Sequence, residues 1–277
     1  LQCTLHIVPD YNDYIFPEEF PSQLPVDIDA YRMNASLAVQ LSHAWMRHAK
    51  KQALNRRNIV KKRVISGKVM QHNGYTEIDP YIMDHSKLNG ISADKTTIRT
   101  VPRKTIAALQ ECKWPGRYHV IQSDYATFYL DGAHTKESME ICSKWFQEKS
   151  GCREKILIFS ATGDRDVEIL LTPIKDINFV FVYIVIPRAY KKLTNKNDNY
   201  SILEQKDLTS RCCKDAEIWC ELSTSSAKVK ALECVSDALI DIKRHNNKID
   251  NLAVLITGSL HLVGAALSIL DTSLSKD

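Results

Sequence analysis

The stretch YLDGAHTKESMEICSKWF, Tyr129 to Phe146, decides how the rest of the chain is read. It follows a short apolar and aromatic run, ATFYL, breaks at Asp131-Gly132, and resumes with helical spacing through Met139, Cys142 and Phe146. The pattern predicts a strand, a tight turn and a helix. Asp131 and His134 then fall at the carboxyl end of a strand, in the turn that feeds the helix. In open α/β sheets ligands bind at that edge, because exposed backbone N–H groups and the positive helix start favour anions.

Three further units repeat this design or border it. EKILIFSATGDRD is an apolar strand, Ile156 to Phe159, ending in a Thr-Gly-Asp turn before a helix from Val167 to Ile174. Asp164, Arg165 and Asp166 could form a local ion-pair network that caps this helix, or could serve a substrate. FVFVYIVIP, Phe179 to Pro187, is the longest apolar run and reads as a buried strand. LAVLITGSLHLVGAALSIL closes the chain with a strand, Ala253 to Ile256, a Thr-Gly-Ser turn and a helix with Leu262, Ala266 and Ile269 inward. Gly258 allows the tight turn, and Ser259 presents a hydroxyl and an amide at the helix start, where a carboxylate could bind. Between these, residues 191–210 read as a long polar loop, and AKVKALECVSDALIDIKR, Ala227 to Arg244, as one amphipathic helix with Val229, Leu232, Val235, Leu239 and Ile240 on one side.

Strands alternating with helices across 117–277 predict a Rossmann-like α/β domain, a mainly parallel sheet with helices on both faces. No G-x-G-x-x-G is present, which disfavours a dinucleotide oxidoreductase. Upstream, Pro9, Pro17, Pro21 and Pro25 mark an irregular connector. Asp27, Asp29 and Asn34 then offer caps for a helix whose apolar side carries Leu37, Leu41 and Trp45 at i, i+4 spacing, an amphipathic helix packed on a neighbour. From Lys50 to about Arg103 the chain is polar and basic and offers no motif. ECKWPGRYHVIQSD, Glu111 to Asp124, contains a hinge: Pro115-Gly116 turns, Trp114 anchors, and YHVIQ starts a new domain. Arg117 sits at that hinge, and a guanidinium suits bidentate contact with phosphate oxygens.

Composition narrows the functional classes. With 277 residues, 44% hydrophobic and 25% charged, the chain can bury one large or two modest domains. No apolar run is long enough to cross a bilayer, so no membrane partner is expected. The amino terminus lacks the basic and apolar regions of a secretory signal, and the chain starts at Leu1, which suggests a truncated sequence. Eight scattered cysteines lack metal-ligand spacing, and Cys212-Cys213 does not make a C-x-x-C; reduced thiols and no metal-ligating residues are expected. A net charge of +4 is too mild to argue for nucleic acid. Lys50, Lys51, Arg56, Arg57, Lys61, Lys62 and Arg63 cluster without interleaved aromatics, as on a solvated face.

Five motifs in order carry a resemblance: RMNASLAVQLSHAW at Arg32 to Trp45, WPGR at Trp114 to Arg117, DGAHT with S-M-x-x-C-x-x-W-F, FSATGDRD at Phe159 to Asp166, and LITGSLHLVGAAL at Leu255 to Leu267. Together they resemble the folylpolyglutamate synthases of the Mur ligase superfamily, in their carboxyl-terminal portion. The resemblance implies that 1–116 is the tail of a P-loop-type α/β ATPase domain plus hinge, and 117–277 the Rossmann-like ligase domain. It implies amide ligation through an acyl phosphate, with ATP, Mg²⁺ and a monovalent cation as cofactors and with tetrahydrofolate or its polyglutamates and L-glutamate as partners, in a cytoplasmic monomer with a mitochondrial form. By the same resemblance Asn34, Arg117, Asp131 and His134 bind ATP, Arg117 and His134 serve catalysis, and Ser259 with His134 receives glutamate. The P-loop G-x-x-x-x-G-K-[ST] is absent, the nearest fragment being Ser66-Gly67-Lys68-Val69. The resemblance therefore implies that this chain alone does not turn over ATP, the metal ligands lying in an amino-terminal part. Two alternatives stay open: a non-catalytic nucleotide- or folate-binding module derived from the ligase, and a dihydrofolate synthase.

Overall fold

The structure is a computed structural model and describes residues 7–18, 24–26, 28–64, 98–191, 205–245 and 252–271. The chain divides into two compact units, Leu1–Cys112 and Lys113–Asp277. Ser66-Gly67-Lys68-Val69 and Asp27 lie outside the described residues.

In the first unit a long helix, α1 (Asp29–Val64), is followed by α2 (Arg103–Glu111). The helix continues well past Lys50, where the polar, basic composition had hidden it, and Asn34 lies inside its second turn instead of capping it. The buried face of α1 is not the Leu37, Leu41, Trp45 stripe, which is exposed (Leu41 60%, Trp45 71%). Ala35 and Val39 instead join a small core with Tyr11, Tyr14, Val101 and Ile106. Polar ties fix that choice: the Ser36 hydroxyl donates to the Pro9 carbonyl at 2.6 Å, and Gln40 donates to the carbonyl of Ile98 at 2.6 Å. Hydrogen bonds to the flanking backbone thus select a face that apolar spacing alone would not. The 3₁₀ turn Tyr11–Asp13 and a bridge between Ile15 and Thr100 complete the described part.

The second unit is a six-stranded sheet: β1 (His119–Gln122), β2 (Thr127–Leu130), β3 (Glu154–Phe159), β4 (Phe179–Val185), β5 (Lys228–Leu232) and β6 (Leu252–Thr257). Their spatial order is β1-β2-β6-β3-β4-β5. Only the β1–β2 pair is antiparallel; the remaining neighbours are parallel. The strands connect through α3 (Lys136–Ser150), α4 (Val167–Leu171), α5 (Gln205–Leu222), α6 (Val235–His245) and α7 (Leu260–Leu270). This is the mainly parallel α/β sheet that alternating strands and helices predict.

Helices cover both faces. On one, Phe128, Leu130, Ile156, Ile158 and Tyr183 pack with Val235, Ala238 and Ile242 of α6 and Leu262 and Ala266 of α7. On the other, Tyr129 meets Trp145 and Phe146 of α3 edge-on, Phe146 stacks on Phe179, and Phe179 abuts Trp219 of α5. Strand alternation explains the sorting, since Phe128 and Tyr129 must point to opposite faces. All six residues of β6 are buried, as a central strand in a parallel sheet requires.

Two expectations for the middle of this unit are corrected. Ala227 to Arg244 is not one helix: Lys228–Leu232 forms the edge strand β5, and the helix begins at Val235. K-V-K-A-L pairs with β4 in register from Phe181↔Lys228 to Val185↔Leu232, and this pairing overrides its weak helical spacing. Ile240, counted on the apolar side, is exposed, while Ala238 and Ile242 are buried. The polar loop expected to reach residue 210 gives way by Gln205 to α5.

Candidate active site

Three turns converge at the carboxyl ends of β2 and β6. The Gly132 N–H donates to the Gly116 carbonyl at 3.1 Å, tying D-G-A-H to W-P-G-R. The Asp131 N–H donates to the Ile256 carbonyl at 3.1 Å, tying it to the strand before T-G-S. At Gly132 a Cβ would lie 2.3 Å from Leu260 Cδ2, so the first residue of α7 occupies the space a side chain would need. Gly258, at φ +109°, has Phe159 and the Ser160 carbonyl oxygen equally close, so T-G-S also packs against the end of β3.

Within this cluster Arg117 is half-buried and its backbone N–H donates to the Trp114 carbonyl. Asp131 is 2% exposed. Its Oδ2 accepts the Tyr118 N–H at 2.9 Å, and the Ala133 N–H also donates to the carboxylate. Burial pushes the Asp131 pKa up, while these N–H groups and the nearby Arg117 and His134 oppose that shift. His134 is half-buried; its Nδ1 lies 2.8 Å from the Gly132 carbonyl oxygen. A carbonyl only accepts, so Nδ1 carries the proton and Nε2 is left as the acceptor of the neutral ring. The turn then hands over to α3 through a capping box, Thr135 Oγ1 accepting the Ser138 N–H at 3.2 Å and Ser138 Oγ accepting the Thr135 N–H at 3.0 Å.

Ser259 is the N-cap of α7, its Oγ accepting the Leu262 N–H at 3.2 Å, and it is buried. One lone pair of the hydroxyl is committed to the helix start, and its O–H is left as a donor beside the backbone N–H groups there. Asn34 lies in the other unit, exposed on α1. Four of the five candidate residues thus belong to the second unit, on adjacent strand ends.

A second concave feature lies beside the T-G-D-R-D turn, a cleft of about 440 Å³ whose lining includes Arg165, Ser210, Arg211, Lys214 and Asp215. The ion-pair network read for Asp164, Arg165 and Asp166 does not form. Asp166 alone caps α4 through the Ile169 N–H, and Arg165 turns back to the Thr162 carbonyl and hydroxyl at 2.9 and 2.8 Å. The Arg211 guanidinium donates to the Gly163 carbonyl. Burial lifts the pKa of Asp215 to about 6, with Arg211 pulling the other way. Arg211, Lys214 and Asp215 escaped sequence reasoning because α5 itself did. Tyr118, at φ +47°, escaped it because nothing in a tyrosine announces a left-handed backbone.

Among the described residues no three His, Cys, Asp or Glu side chains converge on a metal-sized site, and no helix is long and apolar enough to cross a membrane. The described cysteines are all free thiols.

No family model matches the chain. A putative folylpolyglutamate synthase of Caenorhabditis elegans is 32% identical over 184 residues, covering 61% of this chain and 35% of the relative. The mitochondrial folylpolyglutamate synthase of Bos taurus is 24% identical over 321 aligned residues, covering 92% of this chain and 51% of its own length. The chain is similar to the folylpolyglutamate synthases. Yeast folylpolyglutamate synthase adds 29% identity over 187 residues, 62% of this chain. The chain spans about half or less of the length of these synthases. Solved structures similar to it include a Mycobacterium tuberculosis folylpolyglutamate synthase complexed with ADP and AMPPCP, at 18% identity and TM-score 0.43, covering 62% of this chain and 36% of the other. An E. coli FolC in complex with DHPP and ADP has 15% identity and TM-score 0.46, covering 63% and 36%.

Proposed function

We propose that the chain is part of an ATP-dependent ligase that adds L-glutamate to the terminal carboxylate of a folate. One observation carries this reading: in a chain similar to the folylpolyglutamate synthases, the turns bearing Arg117 and His134 are hydrogen-bonded to each other at the carboxyl edge of the sheet. Residues 1–116 are assigned as the tail of an ATPase domain with its hinge and 117–277 as the ligase domain, cytoplasmic with a mitochondrial form. Dihydropteroate is the competing acceptor, separable from folate by competition assay.

The chemistry follows from a carboxylate's poor reactivity toward amines, since oxide cannot leave. An oxygen of the folate carboxylate attacks the γ-phosphorus of ATP, the bond to the β-phosphate oxygen breaks, and ADP departs. The glutamate amine then attacks the acyl carbon, the acyl C–O bond breaks, and inorganic phosphate leaves. Arg117 supplies fixed positive charge where phosphoryl oxygens gain negative charge. His134 Nε2 accepts the proton that the attacking amine sheds. Ser259 and the α7 start receive a glutamate carboxylate, and Asn34 is assigned to the nucleotide. A divalent cation is assigned to the full ligase; the described residues of this chain do not form its site, so no step here runs through it.

The cleft, where Arg165, Arg211 and Lys214 outnumber Asp207 and Asp215, is an alternative seat for the glutamate carboxylates, favoured by the burial of Ser259. Lys214→Ala and Ser259→Ala distinguish the two: whichever raises KM for glutamate with ATP affinity unchanged marks the seat. The reading as a whole is tested by incubating the full protein with ATP, L-glutamate and tetrahydrofolate and following the mass gain of one glutamyl residue. Arg117→Ala should lower acyl-phosphate formation about a hundredfold or more, with melting temperature nearly unchanged. Equal losses of activity and melting temperature would defeat the assignment.

A further inference from the structure

α5 turns one face toward the T-G-D-R-D turn. Asp207, Arg211, Asp215 and Ile218 recur along that face at helical spacing and line the cleft of about 440 Å³, a volume of the order that small-molecule sites have. The Arg211 guanidinium donates to the Gly163 carbonyl, so its charge is held between the helix and the turn.

Asp215 is the group that the fold does not explain. It is 6% exposed, on the inward side of α5 with the buried Cys212 and Trp219 at i−3 and i+4. A buried carboxylate is ordinarily hydrogen-bonded or paired, because leaving one unsatisfied is costly. Among the described residues no N–H or O–H donates to Asp215 and no cation stands within ion-pair distance; Arg211 acts on it through space alone. With its pKa at about 6, Asp215 is mostly ionised at neutral pH, and it lines the cleft instead of meeting a donor.

A ligand that completes this arrangement brings N–H donors and positive charge to Asp215 and negative charge to its neighbours Arg211 and Lys214. An amino acid carries both. Arg165, Arg211 and Lys214 against Asp207 and Asp215 leave the lining one positive charge in excess, the complement of an acidic amino acid's single net negative charge. We propose that the cleft is an acidic-amino-acid site in which Asp215 accepts the α-ammonium group while Arg211 and Lys214 receive carboxylates. Asp215 is then a specificity-determining residue, selecting the amine-bearing molecule over a plain dicarboxylate. The proposal deepens the cleft seat for glutamate given above and rests on that reading for its choice of ligand.

The test is calorimetric titration of the full protein, without ATP or folate, using L-glutamate and glutarate, which keeps both carboxylates and lacks the ammonium group. Wild type should bind L-glutamate about tenfold or more tighter than glutarate. Asp215→Asn, matched in size, should weaken L-glutamate about tenfold and leave the two ligands within about twofold of each other. Lys214 is exposed, so Lys214→Ala serves even if Asp215→Asn fails to fold; it should weaken both ligands in the same proportion. Wild type without the preference, Asp215→Asn with the preference intact, or Lys214→Ala with unchanged affinities would each overturn the proposal. Because turnover is not read, the two readings fail separately. Ligation with an intact preference in Asp215→Asn removes the cleft site alone, whereas the predicted titrations without any glutamyl mass gain remove the ligase reading alone.

Discussion

The imidazole of His134 has one nitrogen committed and one free, and that asymmetry makes its role separable from its packing. In His134→Asn the amide nitrogen can replace Nδ1 as donor to the Gly132 carbonyl, but nothing replaces Nε2. His134→Asn should therefore keep the wild-type melting temperature and lose roughly a hundredfold in kcat. His134→Gln forfeits the Gly132 bond and should lose stability as well. A His134→Asn variant with full kcat would remove His134 from the proton transfer. The residue types at this site were legible in the chain: D-G-A-H, W-P-G-R and T-G-S each name a turn with a charged or hydroxyl group. Their commitments were not. That Asp131 faces inward follows from the Tyr118 peptide arriving from another turn, which local sequence does not encode.

At the scale of elements, turns and caps give stabilities that can be measured apart from ligands. Thr135→Ala removes half of the capping box at α3 and should cost about 1 kcal/mol by chemical denaturation. Gly258→Ala should cost more, about 2 kcal/mol or above, because it combines φ +109° with a Cβ 2.6 Å from the Phe159 ring and 2.7 Å from the Ser160 carbonyl oxygen. A smaller loss from Gly258→Ala than from Thr135→Ala would mean that T-G-S and the end of β3 are loosely packed. Buried strands were easy to read because long apolar runs such as FVFVYIV have few other uses. β5 was not, for a physical reason. It is an edge strand with a burial pattern of one exposed and two half-buried residues before another exposed one, so its lysines interrupt the apolar signal. The i, i+4 stripe on α1 misled in the opposite sense, since its apolar residues lie on the exposed side and small residues make the packed face.

For the whole molecule, acidity should reveal a buried charge. The pKa of Asp215 is raised from its ordinary 3.8 to about 6 by burial, so the folded state holds this proton more tightly than the unfolded chain. Its contribution is then stabilising at pH 4 and below, and is lost as pH rises through about 6. The full effect is at most about 3 kcal/mol, from roughly two pH units at 1.4 kcal/mol each. Asp215→Asn should flatten that part of the stability profile between pH 4 and 6 and raise stability at pH 7. An unchanged profile would show that Arg211 neutralises the carboxylate in the fold.

The strand order has a consequence for synthesis. β6 is the last made of the six described strands, yet it lies between β2 and β3, and the β1–β2 hairpin joins β3, β4 and β5 only through it. Until the ribosome has delivered the final strand, the nascent sheet exists as two separate halves with apolar edges facing each other across a gap. At roughly 5 to 20 residues per second the span from Leu232 to Thr257 takes about 1 to 5 seconds, during which those edges stay unpaired. Loss of the chain from Leu252 onward would leave the halves unjoined, a product for quality control and not a shortened version of the same protein.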